Sequence, residues 1–147
     1  MNRRIYALPG NDDFADRLAA HGGWARAALE VHRFPDGESL VTVAPPAAGE
    51  ESVLVCTLDR PDPKLLPLLM AAATLRELGA THVGLVAPYL AYMRQDARFQ
   101  PGQAISSCIF GRLLDQAFDW LLTVDPHLHR HRTLAEAGMP RGRVAHA

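Results

Sequence analysis

Three short stretches of the 147-residue chain carry most of its candidate chemistry. The first is Tyr89-Leu90-Ala91-Tyr92-Met93-Arg94-Gln95-Asp96-Ala97-Arg98-Phe99. The forked guanidiniums of Arg94 and Arg98 suit phosphate oxygens or a stacked base, and Gln95 offers both a donor and an acceptor to an adenine edge. A plain solvated loop explains the same arginines equally well. The second stretch, Thr123-Val124-Asp125-Pro126-His127-Leu128-His129-Arg130-His131, sets a carboxylate and an imidazole two residues apart just after an apolar run. Asp125 and His127 so placed can both reach a Mg2+ ion or its water shell, and Mg2+ is commonly shared with substrate phosphates. The alternation of His127, His129 and His131 also suggests a transition-metal site, and with it a metal-dependent hydrolase. The cluster holds neither Cys nor a second carboxylate, so a polar helix face is the better reading for His129 and His131. In the third stretch, Arg33-Phe34-Pro35-Asp36-Gly37-Glu38, a tight turn accounts for Asp36 and Gly37 and a core position for Phe34. The two carboxylates there resemble a glycosidase pair, but no second feature supports that chemistry.

The elements that must position these residues follow from periodicity. Arg4 to Leu8 reads as a short strand stopped by Pro9-Gly10, and Asn11-Asp12 then caps a helix to about His21, closed by Gly22-Gly23. Leu29 to Phe34 and Glu38 to Val43 alternate around Pro35-Asp36-Gly37, which predicts a β-hairpin. Ser52 to Leu58 and His82 to Ala87 are near-continuous apolar runs of the kind found in buried parallel strands. Between them Pro63 to Leu78 carries leucines at helical spacing. Tyr89 to Gly102 is polar, Arg-rich and aperiodic, a long loop of the sort that serves function or moves. A helix over Ile105 to Phe118, a strand over Trp120 to Val124, a helix from Leu128 to Ala137 and a last strand at Val144 to His146 complete the pattern. The alternation predicts an α/β fold, a mostly parallel twisted sheet with helices on both faces, plus the hairpin near the N-terminus. Ligands of such sheets bind outside the carboxyl ends of the strands, so the residues after Val86 and Val124 are the ones to watch.

Composition narrows the function classes. With 48% apolar and 21% charged residues the chain is an ordinary globular domain, long enough for one sizeable core. A formal net charge of -1 argues against nucleic acid as the main partner. No apolar stretch approaches the roughly 20 residues of a membrane span, and Met1 to Ala7 lacks the features of a secretory leader, so no membrane partner and a cytoplasmic location are expected. Cys56 and Cys108 fit neither a CxxC site nor a disulfide framework and are expected to be buried thiols. Lys64 is the only lysine and has no glycine near it, which excludes a Walker P-loop, and a G-x-G-x-x-G fingerprint is missing too.

Together the three stretches carry a resemblance. Phe34-Pro35-Asp36-Gly37-Glu38, then Pro88-Tyr89 with Tyr92-Met93-Arg94-Gln95-Asp96, then Leu122-Thr123-Val124-Asp125-Pro126-His127, in this order and spacing, resemble the N-terminal half of ribose-phosphate pyrophosphokinase, also called phosphoribosyl pyrophosphate synthetase. The resemblance covers nearly the whole chain and implies a phosphoribosyltransferase-like fold as a single domain over residues 1–147. It implies transfer of the β,γ-diphosphoryl group of ATP to the 1-hydroxyl of ribose 5-phosphate, releasing AMP, with Mg2+ as cofactor. Arg94 and His127 would be catalytic, and Arg94, Gln95 and Arg98 would contact ATP. Phe34, Asp36, Gly37 and Glu38 would reach the adenosine of a neighbouring subunit's site in a homo-oligomer. Asp125 and His127 would take the metal and phosphate end.

The departures from the family pattern are as specific as the matches. Arg98, after Ala97, stands where a second basic residue is usual. Gln103-Ala104-Ile105-Ser106-Ser107 replaces a Pro-Ile-Thr stretch, and Pro126-His127-Leu128-His129 replaces a Leu-His pair. Family members continue into a second domain whose Asp-Asp loop before Thr-Gly cradles ribose 5-phosphate. Here Asp12-Asp13 is the only Asp pair and opens a helix. The expectation is a shortened or split polypeptide that is inactive without its C-terminal ribose-phosphate-binding domain; a regulatory or assembly homologue is the non-catalytic alternative.

Overall fold

In the computed structural model, which describes residues 2–147, the apolar runs become a central sheet. Its strands are β1 (Arg3–Ala7), β2 (Ala25–Ala27), β5 (Glu51–Val55), β6 (Val83–Ala87), β7 (Trp120–Val124) and β8 (Gly142–Ala145). A separate hairpin pairs β3 (Leu29–Arg33) with β4 (Ser39–Val43), and the helices are α1 (Asp12–Gly22), α2 (Asp62–Glu77) and α3 (Ser106–Ala117). The sheet order is β2-β1-β5-β6-β7-β8 and every neighbouring pair is parallel, so the predicted mostly parallel α/β architecture is what the chain adopts.

Alternation along the strands divides the core in two. Tyr6, Leu54, Leu85 and Leu121 face one side, where Leu68, Leu75, Phe110 and Leu114 of α2 and α3 cover them. Ile5, Val53, Val55 and Val86 face the other, against Ala15 and Ala19 of α1. Each fully buried Leu contributes about 1.5–3 kcal/mol, so the larger cluster dominates stability. The hairpin is bound to the sheet through Tyr6, whose hydroxyl donates to the Ala44 carbonyl at 2.8 Å.

Three elements differ from expectation. β2 is a three-residue edge strand, too short to leave an alternating pattern. The expected helix from Leu128 to Ala137 does not form; turns and bends occupy that segment. Two of its backbone donors are taken by side chains instead, the Arg130 N–H by Asp96 at 2.7 Å and the Arg132 N–H by Glu136 at 2.5 Å, while Leu134, Ala137 and Met139 are buried in the core. Cys56 is buried as expected, and burial pushes its thiol up to about 12, but Cys108 is half-exposed.

Asp119 shows how one carboxylate fixes the sheet's middle. It accepts the Val83 N–H at 2.8 Å and the Arg76 guanidinium at 3.0 Å. Burial opposes its ionisation, but these two donors outweigh it and hold the carboxyl below its usual value. Asp119→Ala leaves a buried strand N–H without its acceptor, an expected loss of about 1–3 kcal/mol at neutral pH. A depressed folded-state value means that the charge-dependent part of this stability is complete above the unfolded value of about 3.9 and is lost as pH falls through the folded one. Urea melts of both proteins should therefore differ most at neutral pH and converge in acid; a gap of constant size would refute the assignment.

Candidate functional site

In the sheet β1 is flanked by β2 on one side and β5 on the other, and beyond the carboxyl ends of β5, β6 and β7 lies a cleft of about 530 Å3. That volume falls within the usual range for small-molecule sites. Three loops line it: Leu58 to Pro63 after β5, Tyr89 to Gln95 after β6, and His127 after β7. Arg94, Gln95 and His127 thus converge on one space.

Backbone strain marks the same place. Arg60, Tyr92 and Asp125 are the non-glycine residues with positive φ among the described residues, at 48°, 69° and 40°. One follows each of the three central strands. Left-handed backbone costs an L-residue about 1–2 kcal/mol, and such strain collects at ligand sites more than elsewhere. The loop after β6 is nonetheless firmly seated: Leu90, Ala91 and Met93 are buried beneath it, and the Tyr92 hydroxyl donates to Asp62.

Sequence reasoning passed over Asp96, whose role is geometric. Its buried carboxylate accepts the Arg130 N–H and the Arg130 guanidinium, each at 2.7 Å, and that guanidinium lies over the Phe99 ring at 4.8 Å. Burial opposes ionisation, yet the Arg130 contacts hold Asp96 below the usual carboxylate range. This clamp joins the Arg94 loop to the His127 segment. Gln95 is anchored as well, its amide oxygen accepting the Ser106 hydroxyl at 3.0 Å while its carbonyl accepts the Ser107 N–H at 3.1 Å.

The other expected site residues do not line the cleft. Arg98 donates from Nε to the Gln103 carbonyl at 2.7 Å and does not line it. Asp125 is exposed; its oxygens accept the Ala147 N–H at 3.0 Å and pair with the His146 ring at 2.9 Å, and these contacts hold it below the usual carboxylate range. Phe34, Asp36, Gly37 and Glu38 form the exposed tip of the β3–β4 hairpin. There the Glu38 N–H donates to the Asp36 carboxylate at 3.0 Å, and Gly37 supplies the positive φ of 93° that closes the turn. Arg33 fastens this tip by donating to the Pro63 carbonyl at 3.1 Å.

The three histidines do not converge. His127 and His129 stack with ring centroids 6.4 Å apart, while His131 Nε2 sits 2.9 Å from the Ser107 hydroxyl. No group of three or more His, Cys, Asp and Glu suited to a metal occurs among the described residues, so a His-based hydrolase site is not assembled. One ionised carboxylate and one imidazole at a strand end do fit a hydrated Mg2+ held mainly by phosphate oxygens, which needs no all-protein cage.

Residues 3–117 match the family model described as the N-terminal domain of ribose phosphate pyrophosphokinase. The chain belongs to the ribose-phosphate pyrophosphokinase family. Relatives of that name include one from Halobacterium salinarum, 38% identical over 117 residues, or 80% of this chain and 41% of that one. Another, from Methanopyrus kandleri, is 37% identical over 131 residues, or 89% of this chain and 44% of that one. A crystal structure of phosphoribosylpyrophosphate synthetase from Mycobacterium smegmatis shares the fold, with a TM-score of 0.81 over 99% of this chain and 48% of that one at 24% identity. The chain thus spans less than half the length of the pyrophosphokinases it matches. No helix among the described residues is long and apolar enough to cross a membrane.

Proposed function

We propose that this chain is the ATP-binding and oligomerising half of a ribose-phosphate pyrophosphokinase-like protein, and that the cleft at the ends of β5, β6 and β7 is its Mg-ATP site. The observation that carries this reading is the convergence of Arg94, Gln95 and His127 on one space outside the carboxyl ends of parallel strands. In the reaction the 1-hydroxyl oxygen of ribose 5-phosphate bonds to the β-phosphorus of ATP. The bond from that phosphorus to the α,β-bridging oxygen breaks, AMP departs, and the hydroxyl proton is released. Such a transfer calls for positioning and charge neutralisation rather than a covalent nucleophile.

Arg94 holds the polyphosphate by a forked contact, Gln95 presents its free amide N–H groups to the base, and His127 donates to phosphate as charge develops. Asp125 and His127 would hold Mg2+ together with the phosphates, and the ion would supply further charge neutralisation. Phe34, Asp36 and Glu38, exposed on the hairpin tip and outside the lining of this chain's own cleft, contact the adenosine bound by a neighbouring copy. Arg98 stands in reserve at the loop's far end. The part of the reaction assigned to these 147 residues is nucleotide binding, the ribose 5-phosphate end being left to a C-terminal domain of the kind the longer relatives have room for.

Calorimetric titration of this chain with ATP, with and without Mg2+, tests the reading. Saturable binding that depends on Mg2+ is expected. Absence of binding at millimolar ATP would mean that the site is not preformed in this chain, and the reading would fail in favour of an assembly homologue.

A further inference from the structure

The loop after β5 brings to the cleft a cation that the sequence reading did not weigh. Arg60 lines it beside Arg94, and its side chain is exposed. Among the described residues neither arginine makes an ion pair, as is also true of Arg17, Arg33, Arg98, Arg112, Arg132 and Arg143, but only Arg60 and Arg94 of these line the cleft.

The acids of the cleft are already engaged. Lys64 Nζ lies 2.5 Å from Asp59, and the Tyr92 hydroxyl donates to Asp62. Lys64 offsets the charge of Asp59, which Arg60 also helps to hold ionised, while Asp62 keeps its charge; neither acid forms an ion pair with Arg60 or Arg94 among the described residues. Two guanidiniums that no carboxylate fixes, with an imidazole in the same lining, remain available to fork onto an anion with several oxygens. The main-chain conformation agrees, because Arg60 is held at a φ of 48° where glycine would sit without strain. A glycine there would supply no cation.

We propose that Arg60 is a second phosphate-binding residue of this cleft, acting with Arg94 on the polyphosphate chain of a nucleoside triphosphate. The proposal rests on the nucleotide reading above and adds to it a residue and a specificity: preference for triphosphate over monophosphate. A guanidinium that meets only the distal phosphates leaves the nucleoside and its first phosphate untouched.

The test compares the unmodified chain with Arg60→Ala and Arg60→Lys by calorimetric titration against Mg-ATP and against AMP. Arg60→Ala should weaken Mg-ATP about tenfold, the usual worth of one charge-assisted contact, and leave AMP within about twofold. Arg60→Lys should recover part of the loss, since it restores the charge without the fork. Thermal melts of the variants should match the unmodified chain, because Arg60 supports no packing. Unchanged Mg-ATP affinity in Arg60→Ala, or an equal loss for AMP, overturns this proposal while the nucleotide site stands. Failure of the unmodified chain to bind Mg-ATP overturns both.

Discussion

Gly111→Ala should destabilise the protein, although helix propensity points the other way. Gly111 lies inside α3, where alanine is favoured over glycine by about 1 kcal/mol. A Cβ at that position, however, would stand 1.9 Å from the Ala137 carbonyl oxygen and 3.3 Å from the Met139 methyl. The first neighbour is backbone and cannot rotate away. The turn from Leu134 to Met139, held by its own N–H to carbonyl bonds, must move by more than an ångström or α3 must. Overpacking of this kind costs about 1–3 kcal/mol and sometimes more, which exceeds the gain in propensity. The expected result is a fall in Tm of roughly 2–8 °C for a domain of this size. Because the turn continues the segment that carries His127 and Arg130, Mg-ATP affinity should fall with it. A Tm equal to or above that of the unmodified chain would show that α3 and the turn do not meet as described.

That turn also shows where sequence reasoning stops. Strands β5 and β6 were legible because burial on both faces leaves near-continuous apolar runs, β7 because Trp120 to Val124 is apolar but for Thr123, and the hairpin because Pro35-Asp36-Gly37 closes one turn geometry well. The Leu128 to Ala137 segment had apolar spacing compatible with a helix. What competes with one is tertiary: Asp96, more than thirty residues away, accepts the Arg130 N–H, and Leu134, Ala137 and Met139 are buried in the core from a turn. No local window of sequence contains that competition.

The same division runs through the site. Arg94, Gln95 and His127 could be found because they follow apolar strands and carry phosphate-binding chemistry, and the cleft does unite them. Arg60 follows a strand too, but only its backbone conformation and its place in the cleft lining single it out. Arg98 and Asp125 have the right chemistry by type. Their placement depends on Gln103 and on the His146-Ala147 backbone and ring, contacts that spacing does not encode. Asp96 is the converse case: an acid beside two arginines in the sequence, it bonds to neither and reaches Arg130 instead.

Arg94→Ala should weaken Mg-ATP binding about 10- to 100-fold, the largest loss expected from one side chain in the cleft. Arg94 is exposed, lines the cleft and makes no ion pair among the described residues, so its removal takes away no protein contact. The fold should be unchanged by melting temperature, which separates this variant from Gly111→Ala, where affinity and stability fall together. Arg94→Lys should recover less than the charge alone suggests, since an ammonium cannot reproduce the forked contact to two phosphate oxygens. The loss should also shrink as salt is raised, because the removed interaction is between exposed charges and is screened within about 10 Å at 0.1 M ionic strength. His127→Ala, tested beside it, should lose less, its imidazole being one donor rather than a fixed charge. Unchanged affinity in both variants would remove the cleft from consideration as the nucleotide site. A loss in Arg94→Ala alone would keep the polyphosphate contact and reassign His127 to a step after binding.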